Sequence, residues 1–235
     1  MPDAKLYCGT SGFAYRSWRP NFYPQSLAAT ERLAYYATRL SAVELNGHNW
    51  LMNKRRLERW ATTVPSGFLF LPRMRMEFER EEFTKNFLQT LEPLQASGHL
   101  GPVLFQIGSR QKAHSGKLAR FLQQWPQDRR VAFEFRSLTW FDERIYQVLR
   151  DANAALCLAE GEDLETPWVL TSDFVYLRLR KPEYLESKLI SVQYRAEQYL
   201  ANAYPTFAIF KGGKSAAGAL NAEKLLVSQR AVGTP

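Results

Sequence analysis

The feature that most constrains this chain is its alternation: short apolar runs of strand length give way, again and again, to stretches of helical period. Runs at Leu6–Gly9, Ala42–Asn46, Phe68–Leu71, Val103–Gln106, Val131–Arg136, Ala155–Ala159, Val175–Arg180 and Thr206–Phe210 predict eight strands. Helical patterns fall at about 30–40, 53–63, 82–96, 116–125, 142–152, 190–202 and 216–229. Thr30 is placed to cap the first helix and Asp142 to favour the first turn of the fifth. Repeated βα units imply a parallel sheet, and eight of them imply an α/β fold of the (β/α)8 TIM-barrel type. Residues 160–174 carry no helical pattern, so the barrel is expected to be irregular between the sixth and seventh strands. An open doubly wound sheet is the competing architecture. The 235 residues suit a single barrel domain spanning 1–235.

Composition narrows the class. The chain is 46% hydrophobic and 14% aromatic, which excludes disordered and collagen-like chains. Its two cysteines, Cys8 and Cys157, sit far apart in apolar runs and form no disulfide framework. With no signal-like segment and no run long enough to span a bilayer, the expectation is a cytoplasmic protein without a membrane partner. The formal charge of +8 points to an anionic partner.

Period two sorts the strand residues onto two faces. Val131, Phe133 and Phe135 form one set, and Ala132, Glu134 and Arg136 the other. Val175, Leu177 and Leu179 stand against Tyr176, Arg178 and Arg180, and Val43 and Leu45 against Glu44 and Asn46. Helices cover the outside of a barrel, so the polar sets belong in the bore, near the C-terminal strand ends where barrel enzymes keep their sites. Adding Gln106, Glu160 and Lys211 from other strand ends gives a candidate cluster of three carboxylates and four cations. Arg136, Arg178 and Arg180 would clamp an anion, Lys211 to Ser215 would bind its phosphate or carboxylate, and Glu134 or Glu44 would act as a base if chemistry occurs. The alternative is an internal ion-pair network that plugs the barrel.

Other motifs are weaker. Ala208, Gly213, Lys214 and Ser215 match a relaxed phosphate-loop pattern, but at the last strand, with no later strand to supply a metal-binding Asp. The loop Lys211, Gly212, Gly213, Lys214, Ser215 still has the means to cradle an anion through glycine N–H groups, a lysine and a helix start. Thr10 and Ser11, in a polar loop after the first strand, are candidate ligand contacts or turn residues. His48, His99 and His114 form no metal motif, and no metal or cofactor is expected; His99 and His114 read as exposed. Lys54, Arg55, Arg56 and Arg59 beside Trp50 and Trp60, then Arg73, Arg75 and Arg80 with Phe78, outline a basic, aromatic patch for nucleic acid. Glu77, Glu79, Glu81 and Glu82 interrupt it, which favours an ordinary charged face.

Six segments in order carry a family resemblance: GTSGFAYRSW…FYP (9–24), ERLAYYA (31–37), VELN (43–46), GPVLFQ (101–106), VAFEFR…TWF (131–141) and VYLRL (175–179). Together they resemble the YecE-like family, domain of unknown function 72. The resemblance implies a TIM barrel and no known reaction. The family pattern keeps Glu44, Asn46, Gln106, Glu134, Arg136 and Arg178 here, but the chain departs at Gly47-His48-Asn49-Trp50, Arg73, Ile107-Gly108-Ser109, Ser137, Glu160, Arg180-Lys181 and Lys211-Gly212. Histidine and asparagine are what the mouth mostly loses, so the ligand differs from the family's or an activity has lapsed. The reading is a barrel that binds, and in one version turns over, a small anionic or phosphate-bearing ligand. A nucleic-acid-binding protein and a non-catalytic interaction scaffold are the alternatives. The sequence leaves the oligomeric state open.

Overall fold

The computed structural model describes residues 4–46, 53–76, 81–161, 164–181 and 184–232. Nine strands form one sheet: β1 (Leu6–Ser11), β2 (Ala42–Asn46), β3 (Leu69–Met76), β4 (Val103–Ile107), β5 (Val131–Phe135), β6 (Ala155–Leu156), β7 (Leu158–Glu160), β8 (Val175–Leu179) and β9 (Thr206–Phe210). Every pairing between them is parallel. Their order, β6-β5-β4-β3-β2-β1-β9-β8-β7, bends the sheet into a nearly closed TIM-like barrel with a seam between β6 and β7. Helices α1 (Arg32–Arg39), α2 (Lys54–Thr63), α3 (Glu81–Ala96), α4 (Ser115–Gln124), α5 (Glu143–Asp151), α6 (Glu186–Ala201) and α7 (Ala217–Val232) complete the βα units among the described residues.

The seam lies inside the expected sixth strand. Ala155 and Leu156 pair with β5, whereas Leu158–Glu160 pair with β8, so one extended segment changes partner at Cys157. The Cys157 N–H still donates to Phe133 O at 2.8 Å. On the open side of β6, Thr171 stands in for a strand: its Oγ1 accepts from Leu156 N at 2.8 Å and donates to Ala154 O at 2.7 Å. A side chain thus satisfies backbone groups that burial would otherwise leave unpaired. The described part of the β7–β8 connection holds no helix, as its pattern implied; it folds back through a Glu160–Glu165 bridge.

Pleat parity builds the core in two compartments. Outward residues such as Phe105, Phe133 and Phe135 pack beneath the helices, where Phe105 meets Phe121 and Trp125 edge-on and Trp140 stacks on Phe135 at 4.6 Å. Inward residues Ala42, Leu71, Leu104, Ala132, Cys157, Tyr176, Phe207 and Ile209 fill the bore. Both cysteines are buried free thiols.

Helix starts differ from expectation where side chains compete for the same backbone. Thr30 does not cap α1: residues Ala29–Glu31 form a 3-10 turn, and the Glu31 carboxylate reaches back to accept from Ala28 N at 2.9 Å. Asp142 caps α5, accepting from Arg144 N at 2.9 Å. His114, exposed as expected, caps α4 through Nδ1, which accepts from Lys117 N at 3.2 Å. His99, in contrast, is buried, its ring N–H donating to Phe68 O at 2.8 Å. Among the described residues no helix is long and apolar enough to cross a membrane.

Candidate functional site

Toward the C-terminal ends of the strands the bore changes from apolar to charged. Alternation lifts Glu44 one pleat above Ala42, Gln106 above Leu104, Glu134 above Ala132 and Arg178 above Tyr176. These four polar side chains are buried, with Glu44 at 0% and Glu134 and Arg178 at 3% exposure. A second ring stands above them, formed by Ser11, Asn46, Arg73, Arg136 and Arg180.

Arg178 organises the lower ring. Its Nε and Nη2 donate to Glu44 at 2.8 and 3.0 Å, and its Nη1 donates to Glu134. Glu44 also accepts from Ser11 Oγ at 2.6 Å and Tyr176 OH at 3.2 Å, and it pairs with Arg73 Nε at 2.9 Å. Glu134 accepts from Gln106 Nε2 at 2.6 Å and Arg136 Nε at 3.2 Å, with Arg180 Nη1 at 3.6 Å. Arg73 donates one Nη1 N–H to Gln106 Oε1 and one Nη2 N–H to Asn46 Oδ1.

The electrostatics follow from this geometry. Burial alone raises the Glu44 carboxyl, but Arg178 and Arg73, with the Ser11 hydroxyl, outweigh it and hold the group below the usual carboxylate range. Glu134 behaves alike: burial is overcome by Arg178, Arg136, the Gln106 amide and Arg180. Both acids are therefore ionised near neutrality. For Arg180 the balance runs the other way. Burial and the neighbouring Arg178 lower its affinity for its proton, Glu134 only partly compensates, and Arg136 adds repulsion. Four guanidinia thus face two carboxylates among the described residues of the mouth.

The structure brings Glu44, Asn46, Gln106, Glu134, Arg136, Arg178, Arg180 and Ser11 together, as the parity of the strands predicts. Two expected members go elsewhere. Glu160 follows Ala159, which faces the bore, so it points outward and meets Lys188 Nζ at 3.1 Å and the Tyr184 hydroxyl at 3.3 Å. Thr10 is one pleat out of phase with Ser11, and its hydroxyl is taken up by Gly12 O and Tyr36 OH at 2.8 and 2.9 Å. Neither reaches the mouth.

Arg73 is the member that sequence reasoning missed. Its signal was parity: Leu69 and Leu71 face the bore, so Arg73 and Arg75 continue that face. Pro72 hid this by seeming to end the strand, whereas β3 runs on to Met76. Tyr15 was missed as well. Its hydroxyl donates to Ser11 O at 2.9 Å, and its ring stacks on Trp18 at 4.9 Å, so it walls the mouth on the β1 side.

The Lys211–Ser215 loop borders the mouth. Lys211 N–H donates to Leu179 O at 2.8 Å, next to Arg180, and Gly212 is pressed against Ser11. A cleft of about 230 Å³ lies between this loop, Lys181, Tyr184 and Asn221. Ser215 Oγ accepts from Ala217 N at 3.1 Å at the start of α7, and Gly213 O accepts from Trp18 Nε1 at 2.9 Å. The phosphate-loop pattern fails here structurally too, since Ala208 is buried mid-strand.

In the basic patch, Lys54, Arg55 and Arg59 are exposed on α2 and Arg56 is partly exposed. Trp60 packs instead against the core, edge-on to Phe13 at 5.4 Å and stacked with Phe70 at 6.1 Å, and is only partly exposed. His48, Trp50, Glu77, Phe78, Glu79 and Arg80 lie outside the described residues. Among the described residues, no three His, Cys, Asp or Glu side chains are grouped to hold a metal ion.

Comparison with known proteins agrees with the barrel. A family model described as "Protein of unknown function DUF72" matches residues 7–233. The crystal structure of a DUF72 family protein from Thermotoga maritima superposes with a TM-score of 0.83 at 22% identity, covering 96% of this chain and 99% of that one. A DUF72 family protein from Enterococcus faecalis superposes at 0.75 with 15% identity, covering 99% of each chain. At these identities the likeness is one of fold. A comparison with curated proteins finds no match.

Proposed function

This chain belongs to the DUF72 family of proteins of unknown function, and from that premise we propose that it binds a small anionic ligand at the C-terminal mouth of its barrel. The observation that carries this reading is the pair Arg136 and Arg180. Their side chains are 38% and 33% exposed, and both lean on Glu134, a carboxylate already engaged by Arg178 and Gln106. Arg136 spends its Nε on Glu134, and among the described residues its two terminal amino groups have no partner. Two guanidinia with N–H groups to spare, converging from β5 and β8 over one shared acid, form a fork for an oxyanion.

The buried acids serve this fork as counter-ions. Glu44 is closed off by donors on every side, and the depressed proton affinity of both glutamates suits the holding of arginines better than proton donation. Should turnover occur, Glu134, the acid nearer the fork, is the base to test. Lys211, Gly212, Gly213, Lys214 and Ser215 would extend the contact along one side of the mouth. The reading needs no metal or cofactor.

Calorimetric titration of phosphate and acetate at low ionic strength tests the proposal. Arg136→Ala and Arg180→Ala should each weaken binding about tenfold or more, the loss of one charge-assisted contact. Unchanged affinity in both variants would reject it. Replacing Lys214 and Ser215 together with Ala asks the same of the loop. The nucleic-acid reading keeps one supporting feature, the cationic first turn of α2, where Lys54, Arg55 and Arg56 face the helix dipole with no acid among them. It requires oligonucleotide binding that falls steeply with salt. A mouth that takes up neither anion nor nucleic acid would leave the scaffold reading.

A further inference from the structure

We infer that the mouth selects a doubly charged tetrahedral oxyanion, a phosphate monoester, over singly charged anions such as carboxylates. The inference rests on the proposal that the mouth binds an anion, and it goes on to say which charge and shape that anion has.

Three observations carry it. The first is charge. Arg73, Arg136, Arg178 and Arg180 face Glu44 and Glu134. Both carboxylates are surrounded by donors and stay ionised, so the cluster holds an excess of two positive charges among the described residues. A monoanion neutralises half of that excess and a dianion all of it.

The second is placement. The excess is concentrated where the cluster opens. Arg178 is buried at 3% exposure and its donors are committed to the two acids. Arg73 is tied to Glu44, Gln106 and Asn46. Arg136 and Arg180 are the half-exposed members, held by a single shared carboxylate. Each repels the other across that acid, and an anion seated between them relieves the repulsion.

The third is shape. Arg136 and Arg180 directly follow β5 and β8, and Arg73 stands on β3, so the three reach the mouth from three separate strands around the bore. Strands directed at one axis present donors from several sides. The three terminal oxygens of a phosphoryl group can meet such a ring, whereas the two coplanar oxygens of a carboxylate match one guanidinium edge. The described mouth contributes guanidinia and amides, and its acids are already paired, so its charge stays constant between pH 5 and 8. The groups facing Arg136 and Arg180 are Glu134 from β5, Arg178 from β8 and Gln106 from β4, with Glu44, Arg73, Tyr15 and Tyr176 around them.

A matched set of ligands separates charge from shape. Methyl sulfate is a monoanion at all working pH values, inorganic sulfate is a dianion throughout, and methyl phosphate passes from monoanion to dianion near pH ~6. Titration of the full chain by calorimetry at low ionic strength should give a methyl phosphate affinity that rises about fivefold to tenfold between pH 5 and pH 8, following its dianion fraction. Methyl sulfate should bind weakly and without pH dependence, below methyl phosphate at both pH values. Sulfate should bind tightly at both pH values. Arg136→Lys and Arg180→Lys, which keep the charge and lose the fork, should weaken all three tetrahedral ligands while keeping the dianions ahead of methyl sulfate. Equal affinity for methyl sulfate and methyl phosphate at pH 8 would overturn the dianion inference and leave anion binding intact. A parallel pH dependence for all three ligands would overturn it too, because a protein group would then be titrating. No binding of any of them would remove both the inference and the reading beneath it.

Discussion

Arg178 holds Glu44 through two donors, Nε at 2.8 Å and Nη2 at 3.0 Å, at the centre of the barrel and beyond the reach of water. Its third arm joins Glu134 from the opposite side, so one guanidinium ties β2, β5 and β8 across the bore. Removing that bridge strands two buried carboxylates. Arg178→Met should therefore cost about 3–5 kcal/mol of folding stability by urea denaturation at pH 7. Arg178→Lys should recover only part of it, since a compact ammonium cannot span both acids. A loss below 1 kcal/mol for Arg178→Met would mean the two acids find other partners.

Acid sensitivity follows from the same pair. Glu44 and Glu134 have proton affinities depressed by folding, so the unfolded chain binds protons first as pH falls. Their contribution is complete above the unfolded value, near 4.5, and drains away below it as the pH approaches the folded values. Stability measured by denaturant should fall steeply below about pH 4.5, and Glu134→Gln should lower stability at pH 7 while flattening that fall. A variant whose acid limb runs parallel to the wild type would place the sensitive groups elsewhere.

Much of the fold was legible because period-two alternation is a strong signal in buried strands. The same alternation placed Glu44, Glu134, Arg136, Arg178 and Arg180 on the bore side before any coordinates. The misses at the mouth of the strands come from parity that was broken off or left unapplied. Pro72 seemed to end β3, which cost Arg73 its place in the mouth, although a parallel strand can absorb a proline where the missing N–H has no partner to lose. Glu160 and Thr10 were assigned by nearness to a strand end, yet each lies one residue out of phase with Ala159 and Ser11. The partner change at Cys157 leaves no trace in composition, because it depends on Thr171, fourteen or more residues away in chain and adjacent only in space.

Adjacent glycines in the β9–α7 loop have unequal freedom. A Cβ on Gly212 would lie 2.1 Å from Ser11 O, whereas one on Gly213 would meet nothing within 4 Å. The backbone of β1 cannot yield cheaply, so Gly212→Ala should cost about 1–3 kcal/mol. Gly213→Ala should stay within about 0.5 kcal/mol of wild type. Thermal melts of the two variants side by side check this, and equal melting temperatures would show that the loop is not pinned to β1.

Both thiols should be chemically silent in the native state. Cys8 and Cys157 are fully buried, and burial pushes each thiol well above its usual range, so little thiolate forms and reagents cannot reach it. An aromatic disulfide reagent should modify neither cysteine at pH 8 in native protein and both in denaturant. Rapid native labelling of Cys157 would show that the barrel seam opens.

That seam gives a sharper test. Thr171 supplies an acceptor to Leu156 N–H and a donor to Ala154 O, at 2.8 and 2.7 Å, with all three groups buried. Thr171→Val keeps the shape and removes both bonds, leaving an amide and a carbonyl unpaired at the edge of β6. The expected cost is about 1–3 kcal/mol, the penalty for an unsatisfied buried polar group. The decisive reading is local. Amide exchange at Leu156 should accelerate far more than at Phe133, whose neighbours in β4 and β5 keep their own ladder. Exchange that rises equally across the sheet would mean that Thr171 supports the barrel only through packing.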